Sequence, residues 1–171
     1  VLAFFVYVAA SGEAQQTTMK AAFEDVTVGD VMTRREELHT VTEDASVADL
    51  MSRMFEERHT GYPVLDGGEL VGMVTLEDAR SIREVERDAY RVGDVMATDL
   101  VAATPEADAL TALQTMQEHG VGRLPVVNAD GELVGLISRS DLMTAFNIIQ
   151  TGGTPRVIGG RRRVDDEPGI V

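Results

Sequence analysis

An internal repeat limits what this chain can fold into more than any other feature of its sequence. Residues 28–32 (VGDVM) return as residues 92–96, and residues 68–72 (GELVG) return as residues 131–135. Matched positions lie 62 to 64 residues apart, as Val28 and Val92 do. A unit of this length holds several secondary-structure elements, so two copies can form one pseudo-symmetric domain. We expect a ligand of one copy to have a counterpart in the other.

The composition predicts a folded, acidic protein that does not bind nucleic acid. A chain of 171 residues with 44% hydrophobic content can bury a core. Its 29 acidic and 15 basic residues give a net charge of -14, which repels nucleic acid and anionic lipid. Lys20 is the only lysine, and this acidic, arginine-rich composition resembles that of proteins from salt-accumulating, halophilic archaea. Cysteine is absent, which excludes disulfides and thiolate chemistry and suits a cytoplasmic location.

The two ends of the chain differ from the repeats. Residues 1–10 are wholly apolar but shorter than the roughly 20 residues of a membrane-spanning helix, so we interpret them as the end of a membrane segment. The alternative is a short helix or strand that packs on the domain. From Gly152 onward Gly, Pro, Arg and Asp dominate, which predicts a flexible tail. The expected division is a membrane end and linker (1–27), a first unit (28–88), a second unit (89–149) and the tail (150–171).

The first unit predicts the element order β-α-β-β-α. Apolar residues recur at helical spacing after the candidate N-cap Ser46, and an Asp-Gly-Gly turn separates two apolar runs. The predicted elements are a strand over 38–41, a helix over 46–57, strands over 61–65 and 70–74, and a helix from Thr75 to about Asp88.

The second unit predicts the same order. Pro105 follows Thr104 and is expected at the first helical position, where its missing N–H is tolerated. The predicted elements are a strand over 100–103, a helix ending near Gly120, strands over 124–127 and 133–137, and a helix from Ser138 to about Ile149.

Four motifs recur in both units: G-x-P-V or its counterpart, an Asp-Gly turn, a glycine within an apolar strand, and a closing Ser/Thr-x-x-Asp. Together they resemble the CBS domain, and two in tandem resemble a CBS pair, or Bateman module. The resemblance covers residues 28–149. It implies an α/β (α+β) fold in which two β-α-β-β-α units pack as a pseudo-two-fold pair.

The resemblance also implies a ligand, an adenine nucleotide such as AMP, ADP, ATP or S-adenosylmethionine, held in clefts between the units. In the second unit Ser138 and Asp141 match the positions that hold ribose or phosphate, and Arg123 matches a phosphate-contacting base. A carboxylate suits vicinal ribose hydroxyls, and a helix start suits an anion. The candidate site of the second unit comprises Val101, Ala102, Thr104, Arg123, Pro125, Ser138, Arg139 and Asp141, with Val101 and Ala102 expected to read the adenine edge.

The first unit keeps only part of this pattern. Thr75 and Asp78 match the ribose positions, but Gly61 stands where the second unit has Arg123, and Glu77 would repel a phosphate. We therefore expect the second unit to hold the charged nucleotide. The first unit is expected to be empty or to prefer a less charged ligand. Its candidate residues are Thr40, Val41, Tyr62, Pro63, Thr75 and Asp78.

A structural explanation of these motifs stands beside the functional one. Thr75-x-x-Asp78 and Ser138-x-x-Asp141 are also capping boxes, which need no ligand. Capping and binding are compatible.

No catalytic or metal site is predicted for this chain. The three histidines lack metal-ligand spacing, no serine lies in a nucleophile elbow, and the single lysine is not in a P-loop. The adenine nucleotide is expected as a regulatory ligand rather than a cofactor.

Residues 4–15 carry a second resemblance, to the end of the last membrane helix of archaeal site-2-protease-like (M50 family) zinc metalloproteases that carry a CBS pair. It implies that this chain is the regulatory part of such a hydrolase, at the cytoplasmic face of the cell membrane. The chain itself would be soluble, and zinc would belong to the protease part. Dimers of CBS pairs are also implied. The alternatives are a structural dimerisation module with vestigial clefts, or the CBS pair of another membrane transporter or signalling protein.

Overall fold

The computed structural model describes residues 19–152, in which helices and two small sheets alternate. The apolar residues 1–10 and the tail from residue 153 lie outside the described residues. Residues 19–22 are helical. The helices that follow are α1 (Val28–Val31), α2 (Val47–Glu57), α3 (Leu76–Arg80), α4 (Val92–Val95), α5 (Ala109–Glu118) and α6 (Arg139–Gln150). The strands are β1 (Thr33–Arg34), β2 (Val41–Thr42), β3 (Gly61–Asp66), β4 (Glu69–Thr75), β5 (Arg123–Val127) and β6 (Leu133–Ser138).

Each sheet has three strands and is built around a hairpin. In the first sheet the order is β2-β3-β4, with β2 parallel to β3 and β3 antiparallel to β4. In the second sheet the order is β1-β6-β5. The predicted turn between β3 and β4 is present, and Gly67 and Gly68 both adopt positive φ there. The mixed α/β fold class implied by the resemblance to the CBS domain is confirmed.

The opening segment of each repeat packs on the other repeat. β1, from the first repeat, pairs with β6 of the second, where Thr33 faces Leu136. The counterpart of Thr33 is Ala97, which exchanges two backbone hydrogen bonds with Met73 in β4 of the first repeat. The two repeats therefore exchange their opening segments instead of folding side by side.

The two hydrophobic cores show the same exchange. Val28 in α1 is fully buried among α5, α6 and the strands of the second repeat, while Val92 in α4 is fully buried in the core of the first. The backbone N–H of Val28 donates to Ala107 (2.8 Å), and that of Val92 donates to Ala45 (2.8 Å). Burying a valine contributes roughly 1.5 to 3 kcal/mol. Each core is therefore completed by the start of the other repeat.

Three predicted elements differ from the observed ones. The strand predicted over 38–41 begins only at Val41, because residues 35–37 form a 3-10 turn. The strand predicted over 100–103 is reduced to one bridge at Ala103, since the chain there crosses from β4 to β5. The helix from Thr75 ends at Arg80 rather than Asp88. Most of residues 81–88 are exposed, including Val85, and only Ile82 among them packs against the core, so no continuous apolar face stabilises a longer helix.

The prediction of Pro105 at the first helical position was wrong, because α5 begins at Ala109. The carbonyl of Pro105 instead accepts a hydrogen bond from the N–H of Gly29 (2.9 Å). The segment before α5 is thus used to hold the opening segment of the first repeat.

Candidate ligand-binding clefts

Two cavities lie between the exchanged segments. The first, here called the Asp141 cavity, has a volume of about 330 Å³. The second, here called the Asp78 cavity, is larger at about 1150 Å³. Each has the closing Ser/Thr-x-x-Asp motif of one repeat on one wall and the opening segment of the other repeat on another. Both volumes reach or exceed the lower limit for small-molecule sites, about 300 Å³.

The two Asp carboxylates are held by capping boxes at helix starts. Oδ2 of Asp141 accepts hydrogen bonds from the N–H (2.8 Å) and the hydroxyl (2.6 Å) of Ser138. Oδ2 of Asp78 accepts the same pair from Thr75, at 2.8 and 2.7 Å. Within residues 19–152, Oδ1 of either carboxylate accepts no hydrogen bond. The capping interpretation is therefore confirmed, and one oxygen of each carboxylate remains available to a ligand.

The exchange corrects the expected grouping of residues. Val101 was grouped with Ser138 and Asp141, but it lines the Asp78 cavity together with Pro125. The opening segment facing Asp141 comes from the first repeat and includes Thr33 and His39. Tyr62, expected in the first site, lines the Asp141 cavity.

Six predicted site residues line neither of the two cavities: Thr40, Val41, Pro63, Ala102, Thr104 and Arg139. Three of them have a structural role. The carbonyl of Thr40 accepts a hydrogen bond from Arg53 (3.0 Å), and Arg139 donates to the carbonyl of Val121 (3.3 Å). Val41 is buried in the core of the first unit.

Arg123 lies at the boundary of the two cavities and lines both. Its Nη2 donates a hydrogen bond to the hydroxyl of Thr60 (2.8 Å). Burial lowers the pKa of the guanidinium, while the charge of Asp141 acts in the opposite direction. The group stays protonated, since arginine does not lose its proton in proteins.

The charges around the cavities differ. The Asp141 cavity contains two arginines, two histidines and two carboxylates. The Asp78 cavity contains two arginines and one histidine against three carboxylates. The arginines and carboxylates balance in the first and leave a negative charge in the second, so an anion is favoured in the Asp141 cavity. Several of these charged or titratable residues have no motif that marks them in the sequence. They are Glu37, His39, Arg58 and His59 in the Asp141 cavity and Arg80, Asp99 and His119 in the Asp78 cavity.

A hydrogen-bonded network stiffens one wall of the Asp141 cavity. The hydroxyl of Tyr62 donates to Oε2 of Glu57 (2.7 Å), which also lies 3.0 Å from Nδ1 of His39. Burial raises the pKa of Glu57, but the hydrogen bonds from Tyr62, His39 and Arg53 outweigh it and lower that pKa below its ordinary value. Burial and the neighbouring carboxylate raise the pKa of the Tyr62 hydroxyl. No local signal in the sequence shows this network, because its members come from separate elements.

The two units match a family model described as the CBS domain, over residues 28–84 and 92–148. The chain belongs to the CBS domain family. CBS domains are regulatory modules, and the tandem arrangement is that of a CBS pair.

The CBS pair is similar to solved and curated proteins. The crystal structure of CBSX2 from Arabidopsis thaliana in complex with AMP is 33% identical, covers 72% of this chain and 98% of that one, and has a TM-score of 0.64. An uncharacterised protein of Methanocaldococcus jannaschii is 32% identical over 69% of this chain and 43% of its own length. A zinc metalloprotease of the same organism is 27% identical over 88% of this chain and 41% of its own length. The chain thus spans less than half of either curated relative.

Two kinds of feature are absent from the described residues. No helix between residues 19 and 152 has the length and apolarity needed to cross a membrane. The same stretch holds no group of three or more His, Asp or Glu side chains placed to bind a metal ion.

Proposed function

We propose that this CBS pair is a regulatory module that binds an adenine nucleotide, with the Asp141 cavity as the main site for a charged one. The observation that carries this proposal is that Ser138, Asp141 and Arg123 line one cavity. A carboxylate oxygen for ribose and a guanidinium for phosphate are the groups that a nucleotide requires.

Each group of the Asp141 cavity has a proposed role. Oδ1 of Asp141 accepts hydrogen bonds from ribose hydroxyls, while Oδ2 keeps the capping box intact. Arg123 and Arg58 neutralise phosphate. The backbone beside Thr33, at the edge of the second sheet, reads the adenine. This assignment replaces Val101 and Ala102 with residues of the first repeat.

The AMP complex of CBSX2 supports the ligand class. That protein is 33% identical to this chain and is covered almost completely by it. We therefore extend adenine-nucleotide binding to this CBS pair. AMP, ADP, ATP and S-adenosylmethionine remain the ligands to compare.

The Asp78 cavity is proposed to take a less charged ligand. Glu77 and Asp99 add negative charge beside Asp78, and a phosphate there would face three carboxylates. A nucleoside, or a nucleotide with its phosphate directed toward Arg123 or Arg80, suits this cavity better.

The regulated partner is proposed to be a membrane zinc metalloprotease attached to the CBS pair, at the cytoplasmic face of the membrane. The similarity to the metalloprotease of M. jannaschii and the resemblance of residues 4–15 support it. A ligand between exchanged segments stabilises one relative placement of the two units, and this shift is what a partner can sense. The parent gene is expected to encode H-E-x-x-H upstream of Val1, and its absence there would refute this partner.

A homodimer of CBS pairs is proposed as the assembled form. Phe55 on α2 is 87% exposed, and Ile148 on α6 is 53% exposed. Exposed apolar side chains of this kind favour a protein interface. Light scattering should give a dimer mass that falls to a monomer in Phe55→Glu. If the dimer forms but no nucleotide binds, the structural dimerisation module is the better description.

Thermal denaturation of the whole chain in high salt tests the nucleotide proposal. A ligand at 100 times its dissociation constant stabilises the fold by about 2.7 kcal/mol. We expect AMP, ADP, ATP or S-adenosylmethionine to raise the melting temperature, while a matched concentration of GMP does not. The proposal fails if none of the adenine ligands changes it.

A further inference from the structure

The two cavities share a single guanidinium. Arg123 lines both of them, as does Thr60, which accepts its hydrogen bond. The position equivalent to Arg123 in the first repeat is Gly61. A Cβ built on Gly61 would overlap the Arg123 guanidinium, so the glycine leaves the space that this side chain occupies. The pseudo-symmetric pair therefore has one central arginine where strict symmetry would give two.

The central guanidinium has no charged partner within the part of the chain that the structure describes. Among residues 19–152 no carboxylate lies within ion-pair distance of it, and its hydrogen bond goes to the neutral hydroxyl of Thr60. Arg123 is partly buried, and burial lowers its pKa while the charge of Asp141 opposes that effect. A partly desolvated cation without a counterion favours an anion on whichever side supplies one.

We propose that the two cavities compete for Arg123, so that an anionic ligand in one lowers the affinity of the other for a second anionic ligand. The proposal rests on nucleotide binding as put forward above. A guanidinium is planar, and once it faces a phosphate in one cavity it neither faces nor neutralises a phosphate in the other. The Asp78 cavity then keeps Glu77 and Asp99 with less positive charge to balance them.

The coupling has a sign and a symmetry that can be measured. It is a coupling free energy between the two sites, so each bound anion lowers the affinity for the other by the same factor. An uncharged nucleoside does not need the guanidinium and binds without this coupling. At moderate concentrations the pair therefore holds one anionic nucleotide, or one anionic and one uncharged ligand.

Isothermal titration of the whole chain with AMP and with adenosine tests the proposal. Asp141→Asn weakens the Asp141 cavity and isolates AMP binding to the Asp78 cavity. We expect the Asp78 cavity of this variant to bind AMP about tenfold more tightly than the wild-type protein binds its second AMP, which is within the usual range of coupling. With adenosine, the affinity of the variant and that of the wild-type protein for its second ligand should be equal.

Arg123→Gln separates competition for the guanidinium from direct repulsion between two phosphates. Glutamine keeps a donor for Thr60 without the charge. When both proteins of this comparison also carry Arg123→Gln, we expect the tenfold ratio of AMP affinities to fall to about one. When both carry Arg123→Lys, the tenfold ratio should persist. Direct repulsion predicts the opposite, since losing the cation would leave the difference unchanged or larger.

The outcomes separate the two proposals. A difference that survives Arg123→Gln overturns competition for Arg123 and leaves nucleotide binding intact, and so do equal, independent AMP affinities in the wild-type protein. AMP confined to one cavity in every variant also overturns the coupling. If no adenine ligand binds in the titrations, the proposed function is refuted, and the coupling with it. Unchanged melting curves of the Lys and Gln variants without ligand serve as the control for folding.

Discussion

The Asp141 and Asp78 cavities share the capped Asp at a helix start but differ in the opening segment that faces it. Both contain an Asp held by a capping box at a helix start. The opening segment that faces Asp141 has eight residues between Met32 and Val41, including a 3-10 turn, whereas the one that faces Asp78 has six between Met96 and Ala103. The first cavity is the smaller and has the more favourable charge for an anion. The duplicated fold thus keeps its backbone contacts, while the residues that line its two cavities have diverged.

The side walls diverge as well. Tyr62 in β3 corresponds to Leu124 in β5, and both are buried. Only the tyrosine has a hydroxyl, which joins Glu57 and His39 beside the Asp141 cavity. The network therefore belongs to one cavity alone.

The largest effect is expected when the opening segment of one repeat is displaced from the sheet of the other. A Cβ on Gly135 would lie 2.8 Å from the carbonyl oxygen of Thr33, and a Cβ on Gly72 would lie 3.0 Å from that of Ala97. Gly135→Val should lower the free energy of unfolding by about 3 kcal/mol and Gly72→Val by somewhat less, because overpacking displaces the exchanged segment. Urea denaturation measures both.

Gly122→Ala is the matched control for these variants, because a Cβ there meets no atom within 4 Å. We expect a change of about 0.5 kcal/mol or less. Equal stability of Gly135→Val and the control would contradict the close packing of the exchanged segments.

The next largest effect concerns the two carboxylates. Asp141→Asn should weaken AMP binding by about 10- to 100-fold, because a hydrogen bond to a charged group contributes roughly 1.5 to 3 kcal/mol. Asp78→Asn should weaken AMP binding at the Asp141 cavity by about threefold or less. Titration calorimetry distinguishes them.

Asp94→Asn is the control for the loss of a capping carboxylate away from the Asp141 cavity. Oδ2 of Asp94 accepts a hydrogen bond from the N–H of Arg91 (2.7 Å), as Oδ2 of Asp141 does from Ser138, and Asp94 lines neither cavity. We expect unchanged AMP affinity. Similar losses for Asp78→Asn and Asp141→Asn would refute the ranking of the two cavities.

A smaller effect is expected from the network beside the Asp141 cavity. Tyr62→Phe should cost about 1 kcal/mol at pH 7, since it removes a hydrogen bond to Glu57. The pKa of Glu57 is lowered from its ordinary value of 4.5, so the stabilisation is complete above that pH and is lost as the pH falls through the lower, folded-state pKa. The stability difference between wild type and variant should therefore shrink below about pH 4.5.

Tyr90→Phe is the control for this pH dependence, because Tyr90 is 40% exposed and lies outside the network. Urea denaturation from pH 7 to pH 3 should show a constant, small difference for it. If the difference in unfolding free energy between wild type and Tyr62→Phe grew as the pH fell, the predicted direction of the pH dependence would be wrong.

The smallest effect concerns the charge of the Asp78 cavity. Glu77→Gln should strengthen AMP binding there by about threefold, because it removes a negative charge that is exposed and partly screened. Measured in an Asp141→Asn background, the gain should decrease with added salt. Glu56→Gln, on α2 and outside both cavities, should give no gain, and an equal gain from it would indicate a general charge effect.

The sequence predicted the hairpins and the capping boxes because both depend on neighbouring residues. The Asp-Gly turns fix the pairing of β3 with β4, and Ser138 caps the helix that begins next to it. The helices α1 and α4 were missed, since four residues carry no periodic pattern. Pro105 was misplaced because its carbonyl serves a distant segment.

By itself the sequence determined that two similar units form one α/β module, because a repeat with matching turns and caps specifies the same local structure twice. Only the tertiary structure decided which residues meet. The short opening segments match either sheet equally well in local pattern, and the burial of Val28 and Val92 in opposite cores places them on the other repeat. Each cleft therefore joins an Asp of one repeat to a segment of the other. Arg123 came to lie between both clefts because Gly61 leaves room for it.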